Sequence, residues 1–162
     1  MKRDELFIIK QAILNEIEGC EFYKMAEKQA DNEEAKESFL ILASEEMKHA
    51  EYLKELFDKM EKDDEDLKLA YLLEPPSPHI FDWTKNKFKR SAMNVSIYGM
   101  AVNLEKESVE FYEDARDKTE NSEARKLFDI LVKWEKVHLE QFLKAYETSM
   151  DEWWKEQGYE PF

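Results

Sequence analysis

The sequence predicts an all-α protein, a four-helix bundle of two repeated helical hairpins joined by a long crossover. Three observations carry that expectation. The 162 residues hold only 3 Gly and 4 Pro, and three of the prolines sit together at Pro75, Pro76 and Pro78. Such a chain, rich in Glu, Lys, Ala and Leu, favours long helices. Apolar residues recur at spacings of three and four along four stretches. The chain also repeats itself: a shift of 89 positions lays Ala12 on Ala101, Glu16 on Glu105, Phe22-Tyr23 on Phe111-Tyr112 and Ala26 on Ala115. The same shift lays Asn32 on Asn121, Phe39 on Phe128, Ile41-Leu42 on Ile130-Leu131, Glu46 on Glu135 and His49 on His138.

The first helix is expected over about residues 4–30, with Ile9, Ala12, Ile13, Tyr23 and Ala26 inward. Asp31-Asn32-Glu33-Glu34 then supplies a turn, an Asn cap and two acids for the positive end of the next helix. The second helix, about 33–62, carries Phe39, Leu42, Ala43, Ala50, Leu53, Phe57 and Met60 on one stripe. The third spans about 91–118. Asn121-Ser122-Glu123 marks the turn before the fourth, about 122–150, which has room to continue through Trp153 and Trp154. Residues 151–162 form an aromatic tail.

Between the halves, about residues 63–90, an acidic run at Asp63-Asp64-Glu65-Asp66 leads into Leu72-Leu73-Glu74-Pro75-Pro76-Ser77-Pro78. Two helices alone bury little, so a single domain over 1–162 with this segment as crossover is preferred to two domains. A helix of about 28 residues is roughly 42 Å long at 1.5 Å per residue. Some two dozen partly extended residues can return that distance at about 3.3 Å each.

A formal charge of −14 disfavours nucleic acid and anionic membrane surfaces as partners and suits cations. Nothing approaches the roughly 20 apolar residues of a membrane span. No long apolar run follows Met1-Lys2-Arg3-Asp4-Glu5, so no signal peptide is read and the cytoplasm is the expected compartment. The single Cys20 excludes a disulfide within these residues and a four-cysteine metal module.

Glu46-Met47-Lys48-His49 and Glu135-Lys136-Val137-His138 are both Glu-x-x-His, a spacing that puts carboxylate and imidazole on one helix face. Alone the pattern means little, because 27 of the 162 residues are Glu. Its weight comes from register. Each motif lies 30 residues after another glutamate, Glu16 or Glu105, and each of those precedes a tyrosine by seven, Tyr23 or Tyr112. All six candidates also occupy the apolar stripe, as in Phe39, Leu42, Glu46, His49, Leu53 and Phe128, Leu131, Glu135, His138, Phe142. Four ionised carboxylates inside a bundle are untenable unless neutralised. Two divalent cations would balance them and leave the histidines neutral. The donor set suits iron, manganese or zinc better than calcium or copper(I).

With these residues the chain resembles the ferritin-like superfamily, and especially rubrerythrin-like di-iron proteins, over roughly residues 5–150. The ending Trp153-Trp154-Lys155-Glu156-Gln157-Gly158-Tyr159-Glu160-Pro161-Phe162 is similar to the tails of stand-alone members. The resemblance implies that Glu16 and His49 bind one ion, Glu105 and His138 the other, and that Glu46 and Glu135 bridge them. It implies two metal ions per chain, iron first, with manganese or zinc as alternatives. Two departures are visible: the rubredoxin module of full rubrerythrins is missing, and their extra glutamate three residues past the position of Glu105 is Ser108 here, with Gly19 in the other repeat.

Tyr23 and Tyr112 are candidates for hydrogen bonds to metal-bound carboxylates. Cys20 and Trp134 are expected to be packing groups, and His79 a surface residue of the crossover. The leading expectation is an oxidoreductase that reduces peroxide or dioxygen with electrons from an external donor such as a rubredoxin-like protein, working as a homodimer. The alternatives are ferroxidase or iron storage, and a non-redox zinc or manganese module.

Overall fold

Runs poor in glycine and proline become long helices. The computed structural model describes residues 2–31, 33–62 and 92–158, and within them four helices follow in order: α1 (Lys2–Gln29), α2 (Glu33–Glu61), α3 (Ala92–Lys118) and α4 (Ser122–Glu156). The expected crossover, with His79 and the three clustered prolines, and the Asn32 cap lie outside the described residues. α1 packs along α2 and α3 along α4, so the repeat is a pair of hairpins and the bundle is their association.

α4 runs past its expected end at Met150 to Glu156, and the first part of the predicted tail is therefore helical. Asp151 to Lys155 contains no breaker. The chain turns out only beyond Gln157, where Gly158 adopts φ of 79°, a left-handed conformation that costs glycine little. Trp153 and Trp154 meet edge to face there, ring centroids 4.9 Å apart.

The turn expected at Asn121 forms, and Asn121 caps α4. Its Oδ1 accepts from the Glu123 and Ala124 amides at 2.9 and 3.0 Å, satisfying two orphan donors of α4. Glu5 of α1 reaches the same turn from the other hairpin. Its Oε1 accepts from the Thr119 hydroxyl at 2.7 Å and from the Glu120 and Asn121 amides at 2.9 and 3.2 Å. The two hairpins are thereby pinned at one end.

The core lies in two apolar layers, each built from all four helices. One gathers Ile9, Leu53, Leu56, Tyr112, Leu127, Phe128 and Leu131; the other gathers Tyr23, Phe39, Leu42, Ile97, Tyr98 and Phe142. Ile13 and Phe57 are only half-buried, and Leu56 takes the fully buried place beside Phe57. Phe57 instead lies at the rim, with Lys10 Nζ 5.0 Å from its ring centre. Each large apolar side chain in these layers contributes about 1.5–3 kcal/mol. They hold the bundle, and they enclose between them a layer that is not apolar.

Candidate metal centre

At mid-height α1 brings Glu16, α2 brings Glu46 and His49, α3 brings Glu105, and α4 brings Glu135 and His138 to one place. None is more than 3% exposed. The six form two overlapping groups. Donor atoms of Glu16, Glu46, His49 and Glu135 lie within 4.8 Å of one another, and so do those of Glu46, Glu105, Glu135 and His138. Glu46 and Glu135 belong to both, each with one oxygen turned to each histidine.

His49 Nδ1 is 3.4 Å from Glu46 Oε2, 3.0 Å from Glu135 Oε1 and 3.2 Å from Glu16 Oε2. His138 Nδ1 is 3.5 Å from Glu46 Oε1, 3.6 Å from Glu135 Oε2 and 3.7 Å from Glu105 Oε2. The contact of His49 with Glu16 is a hydrogen bond, and the other five distances express attraction more than bonding. Glu46 Oε1, Glu105 Oε2, both Glu135 oxygens and His138 Nδ1 are buried without a hydrogen-bond partner, the 3.0 Å contact of Glu135 with His49 being poorly aligned. Each such atom costs about 1–3 kcal/mol, so five together cost roughly 5–15 kcal/mol, comparable to the whole stability of a domain. A cation in each group would satisfy all five at once. The residues fit metal ions by donor type, by count and by their unmet demand.

Two tyrosines brace the outer carboxylates across the hairpins. Tyr23 of α1 donates to Glu105 Oε1 of α3, and Tyr112 of α3 donates to Glu16 Oε1 of α1. Tyr23 is stacked on Phe142 at 5.8 Å and on Phe39 at 6.3 Å, and Tyr112 on Phe128 at 6.1 Å. Burial, then the neighbouring glutamates, push both phenols well above their ordinary pKa, so they remain protonated donors.

Without metal the buried groups shift one another's proton affinity. Burial, then repulsion from Glu46 and Glu135, pushes Glu16 well above the usual carboxylate range. Burial likewise raises Glu105, against the pull of His138. Burial alone would also raise Glu46, but Glu16 and the two histidines close beside it hold it below that range. Burial and the charge of Glu46 both work to raise Glu135, and the two histidines facing it pull it lower. The histidines run opposite to their burial: Glu16 lifts His49, and Glu105 lifts His138, well above the ordinary imidazole value.

The sequence reading missed Glu45. Its Oε2 lies 2.8 Å from His138 Nε2, the ring nitrogen turned away from the other five groups. The signal was present in the repeat, since Glu45 falls on Trp134 and the two differ completely in chemistry. Trp134 is buried and lies flat on the His49 ring, centroids 4.9 Å apart. Cys20 is buried in apolar company, as expected. Gly19 lies against Glu46, where an added Cβ would meet Cγ at 3.4 Å, an ordinary van der Waals contact. Its counterpart Ser108 is half-buried.

Fold and site together define a class: helical-bundle proteins that enclose a carboxylate–histidine cluster able to hold metal ions. The chain matches the rubrerythrin family over residues 8–146, and it belongs to that family, a ferritin-like di-iron family. No curated protein and no solved structure matches it in the corresponding comparisons. Among the described residues no helix is long and apolar enough to cross a membrane.

Proposed function

We propose that Glu16, Glu46, His49, Glu105, Glu135 and His138 hold two iron ions per chain, and that the protein is an oxidoreductase reducing peroxide or dioxygen with electrons from an external donor. The observation that carries the reading is the pair of shared glutamates. Glu46 and Glu135 each turn one oxygen to either group, the arrangement a bridging carboxylate needs. Membership in a di-iron family favours iron over the other metals that this donor set accepts.

Paired iron supplies electrons two at a time to an oxygen–oxygen bond. The residues around it do the rest. Glu16 with His49 and Glu105 with His138 close the two ends, and Tyr23 and Tyr112 fix the outer carboxylates by holding a proton on each hydroxyl. The apolar layers above and below keep bulk water out, which strengthens every charge interaction inside. These residues include one cysteine, so a rubredoxin-like electron source lies outside them and a rubredoxin-type partner is the donor proposed.

The test is redox turnover. Protein loaded anaerobically with ferrous iron should consume hydrogen peroxide, lose its ferrous signal, and recover it when a reduced rubredoxin is added. Loaded protein that ignores peroxide and dioxygen alike would contradict the reading and favour a zinc or manganese module. Iron that oxidises and then accumulates as a mineral would favour storage.

A further inference from the structure

The two halves of the centre descend from one repeated hairpin, yet they differ at a place that touches both histidines. The residue just before each shared glutamate is Glu45 on α2 and Trp134 on α4, superposed by the internal repeat. Each reaches the histidine of the opposite hairpin. Glu45 Oε2 meets His138 Nε2 at 2.8 Å, with the Glu45 side chain nine-tenths buried. Trp134 instead lays its indole on His49, planes 15° apart. The three carboxylates near His49 all face its Nδ1, and among the described residues none is placed on its Nε2.

This exchange has a chemical consequence. A carboxylate beside Nε2 keeps hydrogen on that nitrogen, orients the ring and leaves the Nδ1 lone pair for a cation. It also makes the imidazole a stronger electron donor. An indole face offers contact but no acceptor, since its only polar hydrogen is a donor. His138 is therefore pre-set for a metal ion in a way that His49 is not.

We propose that Glu45 is a positioning residue that makes the two halves unequal, so that a divalent cation settles beside Glu105 and His138 first and beside Glu16 and His49 second. The inference rests on reading the six residues as the ligands of two ions. Loss of such an outer partner typically weakens metal binding by about 10–100-fold. The two steps in the unmodified protein should then differ by at least about tenfold.

Cobalt(II) titrated into the full chain, followed by calorimetry and by tryptophan emission, tests this. Trp134 sits on His49, so its quenching reports the second half, and Trp134→Phe identifies that part of the signal. Two unequal steps are expected, with quenching confined to the weaker one. Glu45→Ala should weaken the tighter step by about 10–100-fold and bring quenching forward into the first equivalent. Glu45→Gln, which keeps the volume and an oxygen acceptor, should produce a smaller change in the same direction and serves if the alanine variant does not fold. Equal steps, quenching with the first equivalent of the unmodified protein, or uniform weakening of both steps would overturn the inference while leaving a two-ion centre standing. Binding of less than one cobalt per chain would remove the two-ion reading and this inference with it.

Discussion

Filling the centre with metal should expel protons, and their number follows from the surroundings of six groups. In the metal-free protein Glu46 and Glu135 are held low, while burial raises Glu16 and Glu105 and the facing glutamates raise His49 and His138. Each facing pair, Glu16 with His49 and Glu105 with His138, therefore shares one proton between its two members. Two divalent cations balance the centre only if all four carboxylates are ionised and both imidazoles neutral. Each pair then gives up its proton, about two in all. The direction follows by mass action: acid competes with metal, and affinity rises with pH. The constant for binding both ions should climb by up to about two log units per pH unit while each pair holds its proton in the free protein. Calorimetric titration with zinc near pH 7, in buffers with different heats of ionisation, counts the protons directly. Release of no protons would refute the reasoning, because it would mean that the free centre already carries its full negative charge.

The same directions govern stability without metal. Glu16 and Glu105, raised above 4.5, and the histidines, raised above 6.5, stabilise the fold at low pH and lose that contribution as pH rises through their folded values. Glu46 and Glu135, lowered, lose theirs as pH falls below 4.5, so thermal melts of chelator-treated protein should show a decline on the alkaline side of 6.5 as well as in acid. A melting temperature that rises over that alkaline range would contradict this. Tyr23→Phe and Tyr112→Phe each remove a donor from Glu105 or Glu16; each should weaken metal binding by about 10–100-fold, measured by competition with a chromophoric chelator. Asn121→Ala removes two hydrogen bonds at the start of α4 and should cost about 1 kcal/mol in urea unfolding, with the metal content unchanged.

Much of this molecule is legible in its sequence, because both period and repetition are strong there. Four amphipathic stretches gave the helices. For the fourth the sequence sets an end at Met150 with a continuation through Trp154 left open, because an aromatic, charged segment such as Asp151-Glu152-Trp153-Trp154 looks like a tail, although nothing in it breaks a helix before Gly158. The six clustered residues could be named because charged groups in an apolar stripe conflict with burial, and the repeat showed that conflict twice. What stayed hidden lies across the hairpins. Tyr23 was placed near a carboxylate, but its partner Glu105 is 82 positions away, and no periodicity within one hairpin specifies how two hairpins face each other. Glu45 was invisible for a related reason: one more glutamate among 27 attracts no notice until His138 of α4 is seen against it. The inequality of the two halves becomes visible only when the repeat is read for its differences as well as its matches.

Whether the buried cluster is a metal centre is decided most directly by metal content. Protein prepared without chelators and loaded anaerobically with ferrous iron should retain about two ions per chain after desalting. Glu46→Ala and Glu135→Ala, which remove a carboxylate common to both groups, should each lose most of that metal, with helical content maintained. Fewer than one ion per chain in the unmodified protein, or full retention in either variant, would contradict the account.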